Sequence, residues 1–96
     1  MAPEIVPFAF GDIYEDESSQ VLCVLSKGDD PVRLEWYHGT ELLTAARQDV
    51  TVMPTGPRAS VLVFNSLKAS HFGNYSCQAS NAAGSSSFTA QLIING

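Results

Sequence analysis

The residues of this chain whose side chains are best suited to chemistry are two cysteines, Cys23 and Cys77, and two histidines, His38 and His71. Two thiols are too few for a structural zinc site, and they lack the Cys-x-x-Cys spacing of redox-active pairs. The cysteines therefore either form one disulfide or remain as two buried thiols. If they pair, the bond closes a loop of 54 positions, and the chain-entropy model assigns about 4 kcal/mol of stabilisation to such a loop.

The two histidines are the candidate bases for catalysis, but neither lies in a motif that contains a nucleophile. The acidic residues from Asp12 to Glu17 lack the spacing of a calcium-binding loop. A solvated turn is the simpler interpretation of them, and complementing a basic patch on a partner is the alternative. We predict that the chain is not an enzyme, binds no metal or cofactor, and has no small-molecule substrate.

The chain carries ten acidic and five basic side chains, a net charge of −5. This charge repels the phosphate backbone that provides most nucleic-acid affinity, so we predict no nucleic-acid partner. The longest apolar runs, such as 61–64, are far shorter than the roughly 20 residues of a membrane-spanning helix, and no signal-like segment opens the sequence. We expect any signal sequence and membrane anchor of the parent protein to lie outside this segment.

Frequent turn residues divide the sequence into short alternating runs without a helical apolar period. This pattern predicts an all-β chain with almost no helix. The first edge strand, at 3–13, is expected to change sheets at Pro7, because proline has no N–H to continue a ladder. The other strands are predicted at 19–26, 33–38, 41–43, 50–53, 60–64, 73–80 and 85–94.

The length of 96 residues and the hydrophobic content of 45% suit one folded unit. No internal repeat or linker divides the sequence, so we predict a single domain over residues 1–96. Seven or eight short strands favour a sandwich of two sheets.

The positions of the cysteines relative to two aromatic residues resemble those of the immunoglobulin superfamily. Trp36 follows Cys23 by thirteen residues, and Cys77 ends the run Gly73-Asn74-Tyr75-Ser76-Cys77. The resemblance implies an immunoglobulin-like sandwich in which the Cys23–Cys77 disulfide joins strands B and F of opposite sheets. It also implies a core built from Trp36, Tyr75, Leu62, Phe64 and Leu67.

Two details refine this resemblance. His71 stands where the family usually has an acid, so the usual bridge from that acid to an arginine is absent or rebuilt. The spacing between Trp36 and Cys77 leaves no room for an additional central hairpin. The chain therefore resembles the intermediate, or I-set, type rather than an antibody variable domain.

A closer resemblance is to the variable recognition domains of the arthropod Down syndrome cell adhesion molecule (Dscam) family, including its short chelicerate forms. It covers essentially the whole chain and rests on Pro7-Phe8-Ala9-Phe10, on Gly28-Asp29-Asp30-Pro31 before Leu34-Glu35-Trp36, and on Ala69-Ser70-His71-Phe72-Gly73-Asn74. Domains of that family pair with identical copies on an opposing cell. The resemblance implies the extracellular part of a cell-surface membrane protein, with an identical domain and neighbouring immunoglobulin domains as partners.

Alternation along the strands predicts the binding face. With Cys23 and Leu62 pointing inward, the residues next to them on strands B and E point outward. Strands B and E are neighbours in the ABED sheet of this fold, so these side chains are expected to form one apolar patch, although single exposed valines are also common in strands. The predicted homophilic interface consists of Leu22, Val24, Val61 and Val63, flanked by Ile5 of strand A.

Asn74-Tyr75-Ser76 is an acceptor sequence for N-glycosylation. Because Tyr75 and Cys77 point inward, Asn74 is expected to point outward from the opposite GFC sheet. A glycan there directs partners toward the ABED face.

The sequence is also compatible with two other functions. A structural spacer in a multidomain array contacts only its neighbours, and reduced cysteines with a monomeric state would favour it. A heterophilic receptor or immune-recognition domain would capture its ligand through loops such as 27–31 or 81–84, and a monomer that binds a different protein would favour it.

Overall fold

The computed structural model describes residues 1–44 and 50–95, which form two four-stranded sheets and one two-stranded ribbon. The strands are β1 (Glu4–Ile5), β2 (Ile13–Tyr14), β3 (Ser19–Lys27), β4 (Arg33–His38), β5 (Glu41–Leu43), β6 (Val50–Pro54), β7 (Ala59–Phe64), β8 (Gly73–Asn81), β9 (Gly84–Leu92) and β10 (Ile94–Asn95). A 3₁₀ turn at Ala69–His71 is the only helical segment within the described ranges. The all-β prediction is confirmed.

The order of the strands is that of the predicted sandwich. The ABED sheet consists of β1, β3, β7 and β6 in that order, and the GFC sheet consists of β5, β4, β8 and β9. All pairs within these two sheets are antiparallel. The immunoglobulin-like, I-set arrangement with its two sheets is therefore confirmed.

The first edge strand changes sheets, as the proline predicts. Before Pro7, β1 pairs with β3 of the ABED sheet, and after it β2 pairs in parallel with β10 beyond the end of the GFC sheet. The predicted strand at 3–13 is thus two short strands, because its two ends have partners on different sheets. The last predicted strand divides for the same reason, since β9 pairs with β8 whereas β10 pairs with β2.

The sandwich interior is built around the disulfide. Cys23 on β3 and Cys77 on β8 are bonded across the two sheets, with 6.4 Å between their Cα atoms. The bridge predicted from the family resemblance is confirmed. Trp36 is completely buried, and its Nε1 donates a hydrogen bond to Ser60 Oγ at 3.1 Å. Inward positions on both sheets and Leu67 of the connection after β7 complete the core, with Val21, Leu43, Val50, Leu62, Phe64, Tyr75 and Leu92 on the strands.

A hydrogen-bonded corner closes one end of the core. Tyr75 Oη donates to the backbone carbonyl of His71 at 2.6 Å. The imidazole of His71 is buried, and its Nδ1 accepts the backbone N–H of Lys68 at 2.9 Å. An acceptor nitrogen therefore does at this position what a carboxylate oxygen could do, which explains how the corner forms without the usual acid.

Candidate interaction surface

The outer face of the ABED sheet carries a row of apolar side chains across three strands. Leu22 on β3 lies opposite Val61 on β7, and Val61 in turn lies opposite Met53 on β6. The outer two are well exposed, Leu22 at 46% and Met53 at 52%, while Val61 between them is half-buried. A solvated sheet face usually carries polar residues at such positions, so this row is unusual.

A second apolar row runs beside the first. Val24 lies opposite Ala59, and the backbone N–H of Val6 donates to the carbonyl of Val24 at 2.9 Å. Val6 is 39% exposed and lies at the sheet edge. Together the two rows and the neighbouring Val63 form what we call the apolar patch: Val6, Leu22, Val24, Met53, Ala59, Val61 and Val63.

The structure corrects one member of the predicted interface. Ile5 lies opposite Leu25, an inward residue, and Ile5 packs against the core cluster. Opposite residues of an antiparallel pair share one face, so Ile5 faces inward and does not flank the patch. The position of strand A beside strand B, from which Ile5 was predicted, does not fix which of its side chains face outward, and the ladder also shifts register between Glu4 and Ile5. Such an irregularity changes which side chains face outward, and alternation alone does not reveal it.

Two members of the patch were missed from the sequence. Met53 was detectable, because strand D neighbours strand E and the buried Val50 sets its alternation. Val6 was not detectable in this way, since its orientation follows from the register shift beside Ile5. The other predicted members, Leu22, Val24, Val61 and Val63, lie on the outer face as their alternation required.

Polar residues and an ion pair border the patch. Gln20 and Thr51 lie on either side of Val63. At the β1 edge, Lys27 Nζ is 3.5 Å from Glu4 Oε2, and both side chains are largely exposed. The face therefore combines an uncharged apolar centre with polar neighbours and an ion pair at its β1 edge, which is consistent with the usual anatomy of a protein interface.

Two surface carboxylates outside the patch, Asp16 and Asp29, form ion pairs that shift a pKa. Lys68 Nζ donates to Asp16 Oδ1 at 2.6 Å, and this hydrogen bond and charge raise the pKa of Lys68. The α-amino group of Met1 donates to Asp29, which lowers the pKa of that carboxyl group. The acidic stretch 12–17 thus contributes one partner to a surface ion pair.

Asn74 occupies the opposite side of the sandwich. It is exposed on β8 and lies opposite Gln91 on β9. The N–H of Gly39 donates to its backbone carbonyl at 2.9 Å. The predicted glycosylation site and the apolar patch are therefore on different sheets.

Other kinds of site find no support in the residues at 1–44 and 50–95. No group of three or more histidine, cysteine, aspartate or glutamate side chains there is placed to hold a metal ion. None of the helical segments in that part of the chain has the length and hydrophobicity needed to cross a bilayer.

Comparison with known proteins places this fold in a family. The family model described as "Immunoglobulin domain" matches residues 3–81. The chain belongs to the immunoglobulin family. The prediction that this immunoglobulin domain is not an enzyme agrees with that membership.

Relatives of this immunoglobulin domain include cell adhesion molecules. It is 34% identical over 95 residues to "Cell adhesion molecule Dscam1" of Drosophila melanogaster and 35% identical over 92 residues to "Cell adhesion molecule DSCAML1" of Homo sapiens. The matches cover 97% and 96% of this chain but only 5% and 4% of those proteins. The chain thus spans a small part of the relatives that it matches.

Solved structures lead to the same family. The crystal structure of the Dscam1 Ig7 domain, isoform 5, superposes with a TM-score of 0.94 at 32% identity, covering 98% of this chain and 97% of that one. The resemblance to Dscam immunoglobulin domains is confirmed. A titin I-band fragment superposes with a TM-score of 0.88 at 22% identity over 98% of this chain and 32% of its own, and it shares the fold.

Proposed function

We propose that this chain is a recognition module of a cell adhesion protein and that it binds an identical domain weakly through the apolar patch on the ABED sheet. The observation that carries the proposal is the continuous row Leu22–Val61–Met53 on a face that is otherwise expected to be polar. The relatives named as cell adhesion molecules support the adhesive role. The parent location that fits is the extracellular part of a cell-surface membrane protein, with neighbouring immunoglobulin domains as further partners.

The composition of the patch predicts a weak contact. Each partly covered aliphatic side chain contributes about 1 kcal/mol, so a two-fold pair of patches gains on the order of 10 kcal/mol. Association costs roughly 4 to 15 kcal/mol in lost freedom of the two molecules. The difference corresponds to a micromolar or weaker complex, which suits adhesion through many simultaneous contacts.

A two-fold arrangement suits both the apolar centre of the patch and the ion pair at its edge. In an isologous interface each residue meets a residue of the same patch, so an apolar centre is automatically complementary to itself. Glu4 and Lys27 offer both signs of charge beside that centre. They provide a means of selecting between similar copies at little cost in affinity.

Glycosylation of Asn74 fits the same arrangement. Its side chain is exposed on the GFC sheet, away from the patch. A glycan there leaves the ABED sheet open and obstructs the other face.

The test is sedimentation equilibrium of the oxidised domain from micromolar to millimolar concentration, compared with a Leu22→Asp, Met53→Asp double variant. Both side chains are about half exposed, so the variant is expected to fold. A Ser85→Asp, Gln91→Asp variant is the matched control, because it adds the same charge at exposed positions of the GFC sheet. We expect a dimer for the parent and the control and a monomer for the patch variant. A parent that stays monomeric at millimolar concentration, or a folded patch variant that still pairs, overturns the proposal.

A further inference from the structure

The outer face of the GFC sheet contains a shallow groove of about 450 Å³ that the adhesive role does not use. Strands β4, β8 and β9 supply its floor, and the turn after β4 supplies one end. Its lining residues are Tyr37, Gly39, Thr40, Ser76, Gln78 and Ser87.

The lining differs chemically from the apolar patch. No side chain in it carries a formal charge, and apart from one glycine and one tyrosine ring its members present hydroxyl and amide groups. Ser76 Oγ and Thr89 Oγ1 are 2.7 Å apart and hydrogen-bonded, which holds this row in place. Neutral donors and acceptors around one half-buried aromatic ring suit a carbohydrate, whose hydroxyls need partners and whose C–H face packs on an aromatic ring.

Asn74 lies at the end of this groove. It precedes the lining residue Ser76 by two positions on β8, so both side chains are on the same face and about 7 Å apart along the strand. The lining residue Gly39 donates its N–H to the carbonyl of Asn74. Gly39 has no side chain, and even a Cβ built on it would meet no atom within 4 Å, so the turn leaves open space beside its contact with Asn74.

We propose that the N-linked glycan of Asn74 lies in this groove, so that the domain occupies its own GFC face. The glycan is attached when Nδ2 of Asn74 bonds to C1 of the first N-acetylglucosamine of a lipid-diphosphate-linked oligosaccharide. The C1–O bond to the diphosphate breaks, and the amide gives up one proton.

Because the glycan is covalently attached, even a shallow groove is enough to order it. A tethered sugar has an effective concentration in the millimolar range or above beside the groove, so individually weak hydrogen bonds and one ring contact order it. The first sugars shield Tyr37 and the turn at Gly39 and Thr40 from other proteins. This proposal concerns the monomer and does not depend on pairing through the apolar patch.

The test uses the chain secreted from eukaryotic cells with an isotope-labelled glycan. Mass spectrometry of the Asn74 peptide measures occupancy, and NMR detects contacts between sugar protons and the Tyr37 ring. We expect an occupied site, such contacts, and amide exchange at residues 37–40 that slows about threefold or more relative to Asn74→Gln.

The matched control carries Asn74→Gln together with Asp16→Asn. The second change creates an acceptor sequence with Glu17 and Ser18 at an exposed turn, and the positive φ of Asp16 is one that asparagine tolerates. Its glycan is expected to give no contact with Tyr37 and no slowing at 37–40. An unmodified Asn74, or a glycan at Asn74 with no contact to Tyr37 and the mobility of a free sugar, overturns the proposal. A failure to dimerise leaves the occupancy, the contacts with Tyr37 and the amide exchange unchanged, so the two proposals are tested separately.

Discussion

At the scale of single residues, the corner formed by Tyr75 and His71 shows how an imidazole takes the place of the usual acid. The imidazole nitrogen of His71 accepts a backbone hydrogen bond that a carboxylate oxygen could accept. The imidazole Nδ1 accepts from Lys68 N, and the carbonyl of His71 accepts from the Tyr75 hydroxyl. Phe64 packs edge-on against both rings, at centroid distances of 5.3 Å. The corner is thus both polar and fully packed, so losing one hydrogen bond inside it is costly.

We expect Tyr75→Phe to lower the free energy of unfolding by about 1–3 kcal/mol, because it leaves the buried carbonyl of His71 without this donor. The ring and its packing remain. Urea unfolding followed by Trp36 fluorescence measures the change.

Tyr14→Phe is the control for this prediction. Tyr14 is 49% exposed, so removing its hydroxyl is expected to change stability by less than about 0.5 kcal/mol. Equal effects at the two positions would show that the corner hydrogen bond does not stabilise the fold.

The residue types of this corner could be predicted from the sequence, but its hydrogen bonds could not. The spacing of Tyr75 and Cys77 identified the corner and the inward face of β8. Which nitrogen of His71 faces Lys68 depends on the path of the chain through Ala69–His71, and several paths suit the same residues.

At the scale of elements, a close backbone approach helps to hold the first strand, in addition to the packing of Ile5 against the core. Pro3 is buried where the chain passes Gly28, and Pro3 O accepts a hydrogen bond from Ser86 Oγ at 2.8 Å. A Cβ on Gly28 would lie 2.8 Å from Pro3 Cα, and Gly28 has φ +124°. Only glycine fits both the contact and the backbone conformation.

We expect Gly28→Ala to cost about 2–3 kcal/mol of stability and to loosen β1 from the sheet, because strained backbone and steric overlap coincide there. Thermal unfolding measures the first effect. Hydrogen exchange at β1 measures the second.

Gly39→Ala is the comparison. Gly39 also has a positive φ, but a Cβ there has open space around it, so the expected cost is only about 1–2 kcal/mol and β1 should be unaffected. If Gly28→Ala were as mild and left exchange at β1 unchanged, the close approach to Pro3 would not be what holds the strand.

Strand positions were largely predictable, and strand partners at the edges were not. The bounds of β4 and β5 agree with the predicted 33–38 and 41–43, because turn residues delimit them. The register shift between Glu4 and Ile5 has no local signal, so the inward orientation of Ile5 was not predicted.

At the scale of the whole molecule, the net charge of −5 opposes association of two copies. The apolar patch itself is uncharged, so the opposition comes from the rest of the surface and acts over a Debye length of roughly 30 Å in 10 mM salt and 10 Å in 100 mM salt. The long-range repulsion between two copies therefore weakens as salt is added, whereas the burial of the apolar patch does not.

We expect the self-association of the domain to strengthen as salt is raised from 10 to 300 mM, since screening removes the repulsion and leaves burial of the patch intact. Sedimentation equilibrium across this series measures the dissociation constant. Trp36 fluorescence at each salt concentration checks that the fold is unchanged. Weaker association at higher salt would contradict the apolar contact, because it would show that opposite charges hold the pair together.

The sequence by itself determined the all-β class, the cysteine and tryptophan spacing of an immunoglobulin domain, and the outward set Leu22, Val24, Val61 and Val63. These follow from local chemistry: alternation in a strand, turn residues between strands, and a burial pattern that repeats every second residue. The tertiary structure alone decided that Val6 joins this set, that Ile5 leaves it, and that Asn74 lies next to a polar groove. Those facts depend on register between strands distant in the chain, where a shift of one residue reverses every face and leaves each local pattern unchanged.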